Sequence, residues 1–369
     1  MSSMNPETLV SVPIDLLYDG MTIPHDVYNA EADILLLRRG HTLDAEQIEA
    51  IKQINGGKDT IYVTAETHKI LLKHSLSCEV VSQAELEEGI GYTDVKDETL
   101  NLLLEIEHAS HVPKEKLNAV SESLSNRLEV TRPDLLVSMI NAIAPVDEYL
   151  QRHCINVGLL NGLIGRWLGL PKKDVDLLVM IGLLHDCGKA LLPQKVLNAP
   201  RALTTVEFEV VKMHAVYTYD LLSEFPETIR RAARGHHEKR NGRGYPDHLS
   251  EEAIPSAARV TAISDIYDAM VSRRVYKGPQ NPFRILKQIK EMRGAELEPY
   301  FVDTFVRNMP KELIDKPVLL SNGEIGVIDS VDETDPEHPF IRTHNRVVKS
   351  SKDLHCVAMY YEEETKTLE

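Results

Sequence analysis

The sequence is poor in aromatic residues, in cysteine and in positive charge. Phe, Tyr and Trp together make up 5% of 369 residues. The four cysteines, Cys78, Cys154, Cys187 and Cys356, form no CxxC pair, and reduced thiols in a cytoplasm are the simplest reading. No signal peptide and no apolar run of about 18 residues is present, which gives no sign of export or of a membrane span. The net charge of −16 argues against binding polymeric nucleic acid, which needs broad basic surfaces. A small phosphate ligand stays compatible with that charge, because bound divalent metals reverse the local field. What is present is ordinary for a soluble globular chain: 43% apolar and 27% charged residues, with length enough for two or three domains.

Residues 1–65 show a small α/β pattern. Ile34 to Leu37 and Thr60 to Val63 read as strands, and Leu43 to about Asn55 as a helix ended by Gly56-Gly57. No catalytic constellation falls there, so this segment is expected to be an accessory domain. Residues 66–145 are polar and helical, with Pro113 and Pro133 at plausible helix starts. They are expected to form a connector, one able to support a homodimer. Residues 146–310 are almost wholly helical, and this is the candidate catalytic domain. Residues 311–369 change character. Val318 to Ser321 and Glu324 to Ile328 read as a hairpin around a two-residue Asn322-Gly323 turn, with further strands at Phe340 to Thr343 and Leu354 to Met359. The fold class is therefore mainly α, with a small N-terminal α/β domain and a small C-terminal β appendage.

One stretch stands out. The apolar run Leu177 to Leu184 leads directly into His185-Asp186-Cys187-Gly188-Lys189, and burying that much charge is costly unless it is paired or bound to metal. Other residues of the same kind sit on apolar helical faces. His153 shares a stripe with Val157, Leu160, Ile164 and Trp167. His214 lies in the helical stretch Thr205 to Leu222. His236 and His237 are adjacent, and consecutive helical residues project about 100° apart, so both reach one ion only near a helix end; Gly235 and the loop from Asn241 fit that placement. Asp265 shares a face with Ala258, Ala262 and Ala269, small residues that permit close approach, and Asp268 is placed to support a ligand from behind. Five histidines and two aspartates facing inward would cost several kcal/mol without a cation. Imidazole and carboxylate together suit Fe, Mn, Ni or Zn. Cys154 and Cys187 are turned away from their neighbours and read as core, with zinc–thiolate chemistry a minor alternative. The loop Asn241-Gly242-Arg243-Gly244-Tyr245-Pro246 and the basic residues Arg273, Arg274 and Lys277 are candidates for holding an anionic substrate.

These elements, His153, His185-Asp186 with Gly188-Lys189, His214, His236-His237-Glu238, Gly242-Arg243-Gly244-Tyr245-Pro246, and Asp265 to Ala269 followed by Arg274 and Lys277, resemble the HD-GYP family of HD-domain metal-dependent phosphohydrolases. The resemblance covers about Val146 to Met309. It implies an all-helical HD-type catalytic domain that hydrolyses cyclic di-GMP to the linear dinucleotide pGpG, and often on to GMP. It implies His153, His185, Asp186, His214, His236, His237 and Asp265 as ligands of two divalent metals, with Asp186 bridging. Iron is the expected metal, with manganese as substitute. It makes Lys189 the contact to the scissile phosphate, alongside Asp186 in catalysis, and assigns Gly244, Tyr245, Arg274 and Lys277 to substrate. Some relatives hold a third metal through a glutamate one turn before the first histidine. That position is Tyr149 here, and Glu148 points elsewhere, so two metals are expected. Two other readings are an HD phosphohydrolase preferring pGpG or another cyclic dinucleotide, and a non-catalytic cyclic-dinucleotide sensor or scaffold. The intact Lys189 and ligand set favour catalysis.

Overall fold

A computed structural model describes residues 9–29, 34–55, 60–76, 83–109, 111–142, 149–197, 199, 201–271, 281–322, 324–344 and 346–360. The first unit is an antiparallel sheet of β1 (Leu9–Pro13), β2 (Val27–Tyr28), β3 (Leu35–Leu37) and β4 (Thr60–Thr64), in the order β1-β4-β2-β3. Helix α1 (Ala45–Ile54) packs on it. Its start is fixed reciprocally: the Asp44 carboxylate accepts from Gln47 N, and the Gln47 side chain accepts from Asp44 N. Val12, Ile14, Ile23, Val27, Ile61 and Val63 form its buried core. Helix α2 (Ala65–Leu76) follows β4 directly; its Leu71 joins that core.

The remainder shares one larger core. Four helices, α3 (Gln83–Ile90), α4 (Tyr92–Ala109), α5 (Lys114–Val130) and α6 (Pro133–Asn141), lead into the central group: α7 (Tyr149–Trp167), α8 (Lys172–Leu184), α9 (Gln194–Leu197), α10 (Thr205–Lys212), α11 (His214–Leu221), α12 (Glu227–Arg234), α13 (Ser256–Val271), α14 (Pro282–Glu291) and α15 (Pro299–Asn308). Most of the buried apolar residues between Ile90 and Met359 belong to a single cluster. Pro133 occupies the first turn of α6, where a missing N–H costs nothing. Along α7, Ile155, Leu159, Leu160, Leu163 and Ile164 are almost wholly buried, each contributing about 1.5–3 kcal/mol by leaving water. The buried amide of Asn161 ties three helices together. Its Nδ2 donates to Leu178 O on α8 at 3.0 Å and to Thr261 Oγ1 on α13 at 2.9 Å. This staple holds α7, α8 and α13 side by side.

The C-terminal strands β5 (Pro317–Leu320), β6 (Ile325–Ser330), β7 (Phe340–Arg342), β8 (Val347–Lys349) and β9 (Cys356–Met359) form an antiparallel sheet in the order β8-β7-β6-β5-β9. Strands β5 and β6 pair antiparallel as the hairpin requires; Gly323 of the expected Asn322-Gly323 turn lies outside the described residues. Leu320 N donates to Glu324 O at 2.8 Å, and Asn322 Oδ1 accepts from Glu324 N at 3.0 Å. Val327 of β6 packs against Leu72 of α2, so the sheet also touches the N-terminal part of the chain. Among the described residues no helix is long and apolar enough to cross a membrane.

Candidate metal centre

The central helices deliver seven imidazole and carboxylate side chains to one place. His153 comes from the buried face of α7 and Asp265 from α13. His185 is the residue on which α8 ends, and Asp186 turns the chain out of the helix into a short 3-10 turn, Cys187–Leu191. The stretch expected as one helix from Thr205 to Leu222 is two helices, broken at Met213, so that His214 opens α11. His236 and His237 lie just beyond α12, after Gly235. Leaving the helix is what lets two adjacent rings face the same region.

The histidines are aimed by their outer nitrogens. Nδ1 of His185 lies 2.6 Å from Gly182 O, Nδ1 of His214 lies 2.6 Å from Val211 O, and Nδ1 of His236 lies 2.6 Å from Ala233 O. A carbonyl only accepts, so Nδ1 must carry the proton and each Nε2 presents a lone pair inward. His153 achieves the same result differently: its Nδ1 donates to Asp268 Oδ2 at 2.7 Å. The inward nitrogens then lie close together, His153 Nε2 3.2 Å from His185 Nε2 and His214 Nε2 3.4 Å from His236 Nε2. Lone pairs facing at such distances repel unless a cation lies between them.

The donors divide into two groups able to hold an ion: His153, His185 and Asp265, and Asp186, His214, His236 and His237. Asp186 spans both. Its Oδ2 is 3.3 Å from His153 Nε2 and 3.4 Å from His185 Nε2, and its Oδ1 is 3.3 Å from His214 Nε2 and 3.9 Å from His236 Nε2. Oδ1 is buried without a hydrogen-bond partner, an arrangement that costs free energy unless a cation compensates it. Asp265 also faces both ways, with Oδ1 3.2 Å from His153 Nε2 and Oδ2 3.6 Å from His237 Nδ1. The residues present therefore fit two bound cations.

The local electrostatics favour ligation. Burial by itself would raise the Asp186 carboxyl, but the Lys189 ammonium and then His185 pull it well below the usual carboxylate range. Asp265 is likewise lowered: burial alone would raise it, and the histidines around it, His153 first, outweigh that. Burial first, and then neighbouring histidines, hold His236 well below the usual imidazole range; burial also lowers His214 and takes His237 down to about 3. Neutral imidazoles and ionised carboxylates are the forms a metal takes. Burial pushes the thiols of Cys154 and Cys187 up to about 12, so both stay protonated core groups.

Around this centre, the Lys189 ammonium pairs with Asp186 Oδ2. The Tyr245 ring stands over the centre, 4.5 Å from the His237 ring and 6.3 Å from that of His214; burial raises its hydroxyl, which keeps it a neutral donor. Its backbone N donates to His237 O at 3.2 Å. Gly244 passes so near this strand of chain that a Cβ would fall 2.5 Å from His237 O. Glu238 holds the loop by accepting from Asp247 N at 2.6 Å and Leu249 N at 3.0 Å. Arg273, Arg274, Lys277 and Glu148 lie outside the described residues, and Tyr149 is the first residue of α7. Sequence reasoning passed over Thr218 and Asn156. Thr218 Oγ1 donates to His185 O and accepts from Gly188 N, pinning the His-Asp turn to α11; Asn156 Nδ2 donates to Asp268 Oδ1 at 2.7 Å. The signal for both is a polar side chain on an otherwise apolar helical face.

A helical bundle presenting paired histidines and aspartates around a shared carboxylate defines the HD-domain class, and residues 137–300 match the family described as HD domain. Within that class the matching segment is similar to cyclic di-GMP phosphodiesterases, in keeping with the HD-GYP resemblance. It is 33% identical over 190 residues to a cyclic di-GMP phosphodiesterase of Thermotoga maritima, covering 49% of this chain and 51% of that protein. It is 32% identical over 212 residues to the cyclic di-GMP phosphodiesterase response regulator RpfG of Xanthomonas campestris pv. campestris, covering 56% of each. It is 28% identical over 185 residues to the 3'3'-cGAMP-specific phosphodiesterase 2 of Vibrio cholerae, covering 49% of this chain and 35% of that protein. The chain spans about half the length of the first two relatives. The fold is shared with Bd1817, an HDG"Y"P protein from Bdellovibrio bacteriovorus, at a TM-score of 0.50 and 17% identity, over 80% of this chain and 97% of that one.

Proposed function

We propose that this protein is a metal-dependent phosphodiesterase that hydrolyses cyclic di-GMP to pGpG, GMP or both. The observation that carries the reading is Asp186, whose two oxygens face two separate sets of histidines, the arrangement a two-cation site needs. His153, His185 and Asp265 would hold one ion and His214, His236 and His237 the other, with Asp186 between them. The donor set of imidazole and carboxylate, with neighbouring thiols protonated, suits iron, with manganese as substitute. Such ions supply Lewis acidity toward a phosphodiester and lower the pKa of water.

The chain's own groups then have defined tasks. The Lys189 ammonium, beside Asp186 at the centre, would contact the scissile phosphate and offset the negative charge that develops there. The neutral Tyr245 hydroxyl donates to a phosphate oxygen, and its ring closes one side of the centre. Arg274 and Lys277, outside the described residues, are assigned to the substrate by the family resemblance alone. Tyr149, in place of a carboxylate, limits the expected ion count to two. Relatives named for cyclic di-GMP and for 3'3'-cGAMP make the second cyclic dinucleotide the alternative substrate.

The test is metal analysis of anaerobically purified protein, with turnover of cyclic di-GMP, 3'3'-cGAMP and pGpG assayed on the same sample. Wild type should carry two ions per chain and cleave cyclic di-GMP fastest, and Asp186→Ala should lose both ions and activity. A fully metal-loaded wild type that leaves all three nucleotides intact would sink the hydrolase reading.

A further inference from the structure

Three of the inward-facing imidazoles are aimed locally, by a carbonyl three residues earlier in the chain. His153 is aimed from far away in the chain, since its partner, Asp268, is 115 residues off. A line of buried polar groups continues behind Asp268. Its Oδ1 accepts from Asn156 Nδ2 at 2.7 Å, and Asn156 Oδ1 accepts from the Tyr92 hydroxyl at 3.2 Å. Tyr92, His153, Asn156 and Asp268 are each no more than 2% exposed. The donation runs one way. Tyr92 and Asn156 each have a single acceptor in the line, and Asp268 receives from both sides, leaving His153 Nε2 as a lone pair.

Tyr92 lies outside the segment that matches the HD family. It begins α4, and its ring is covered by the Arg152 guanidinium at 4.9 Å. Arg152 Nη1 donates in turn to Glu87 Oε1 of α3 at 2.5 Å, with side-chain exposures of 4% and 15%. Apolar residues would usually serve stability as well as a buried ion pair does, so the corner between α3 and α4 has polar contacts that packing alone does not require. We infer that Tyr92 and Asn156 are positioning residues for the metal centre: through Asp268 they fix the aim of His153, so that affinity for the ion shared by His153, His185 and Asp265 depends on how the α3–α4 corner is seated. The inference rests on reading His153 as a metal ligand.

Titration calorimetry of Mn2+ into the metal-stripped full chain tests it, with thermal unfolding of each metal-free protein alongside. Asn156→Ala should weaken one of two binding events by about 10–100-fold, as loss of a ligand's supporting partner does. Tyr92→Phe, which keeps the ring over Arg152 and removes only the hydroxyl, should weaken the same event several-fold. The other event should be unchanged in both. Should Asn156→Ala fail to fold, Tyr92→Phe decides alone. Variants that melt earlier yet take up both equivalents with wild-type affinity would show a structural staple only and overturn the inference. A wild type that binds no Mn2+ would overturn the metal reading itself, an outcome distinguishable from the first.

Discussion

Replacing Gly188 with alanine perturbs the centre without touching a ligand, and its consequence follows from distances. A Cβ at this position would lie 2.1 Å from His214 O, 2.6 Å from Thr218 N and 2.8 Å from Thr218 Oγ1. The two nearest atoms are backbone of α11, so no rotamer change relieves the contact. Reaching even the 3.0 Å below which real Cβ contacts are essentially never found requires the 3-10 turn and α11 to part by roughly 1 Å. Both bodies carry candidate metal ligands: Asp186 opens the turn and His214 opens α11, with 3.3 Å between Asp186 Oδ1 and His214 Nε2. Forcing a methyl group into a packed interior costs about 1–3 kcal/mol. The displaced Gly188 N also weakens its 3.0 Å bond to Thr218 Oγ1, a loss of about 1 kcal/mol. For a domain of this size that corresponds to a melting temperature lower by about 3–10 °C. A displacement of about 1 Å in a catalytic constellation costs about 100-fold in rate. Differential scanning calorimetry, metal analysis and turnover of the nucleotide cleaved by wild type measure the three effects. A Gly188→Ala protein with wild-type melting temperature, metal content and turnover would show that the turn and α11 are not locked together as described.

Two other outcomes are expected. Lys189→Ala should retain its metals but lose about 10²–10³-fold in turnover, the usual effect of removing one group that stabilises developing charge; unchanged turnover would remove Lys189 from the reaction. The metal-free protein should lose stability as the pH falls below the ordinary imidazole value of 6.5. His214, His236 and His237 are held below that value in the fold, His237 down to about 3, so within this window the unfolded chain binds more protons and stability rises with pH. Each such histidine contributes a slope of up to about 1.4 kcal/mol per pH unit, and the lowered Asp186 and Asp265 add theirs only below the carboxylate value of 3.8. Urea midpoints of metal-free protein at pH 7.5, 6.5 and 5.5 check the sign; a midpoint that holds or rises from pH 6.5 to 5.5 would contradict it.

Much of the architecture is legible in short stretches of sequence, because the forces that set those elements are local. Asp44 and Gln47 announce the start of α1 by satisfying each other's backbone N–H, and Pro133 announces α6. The misses occur where side chains or tertiary contacts decide. The Asn322 carboxamide oxygen accepts from Glu324 N beside the β5–β6 turn, a contact that no periodicity shows. Strand β8 is three residues long and mostly exposed, too short to show alternation. The break at Met213 has neither glycine nor proline to mark it. The polar, helical character of residues 66–145 likewise does not show that α4 and α5 bury residues in one core with α7 and α8.

The centre divides along the same line. Its seven candidate donors stand out because imidazoles and carboxylates on apolar helical faces are costly unless something compensates them, and that cost is visible residue by residue. What aims them is only partly visible. For His185, His214 and His236 the aiming carbonyl sits three residues back, so the end of a helix delivers both the ring and its orientation. His153 sits in mid-helix on α7, where the carbonyls before it serve the helix's own ladder, and its Nδ1 needs an acceptor from another element. Asp268 of α13 supplies it, and Asn156 and Tyr92 hold Asp268 in turn. A lone asparagine or tyrosine on a buried face is common and carries no such message in sequence. A histidine placed inside a helix, rather than at its end, therefore takes its aim from distant packing, and the line behind His153 runs through Asp268 and Asn156 to Tyr92 of α4, outside the HD segment.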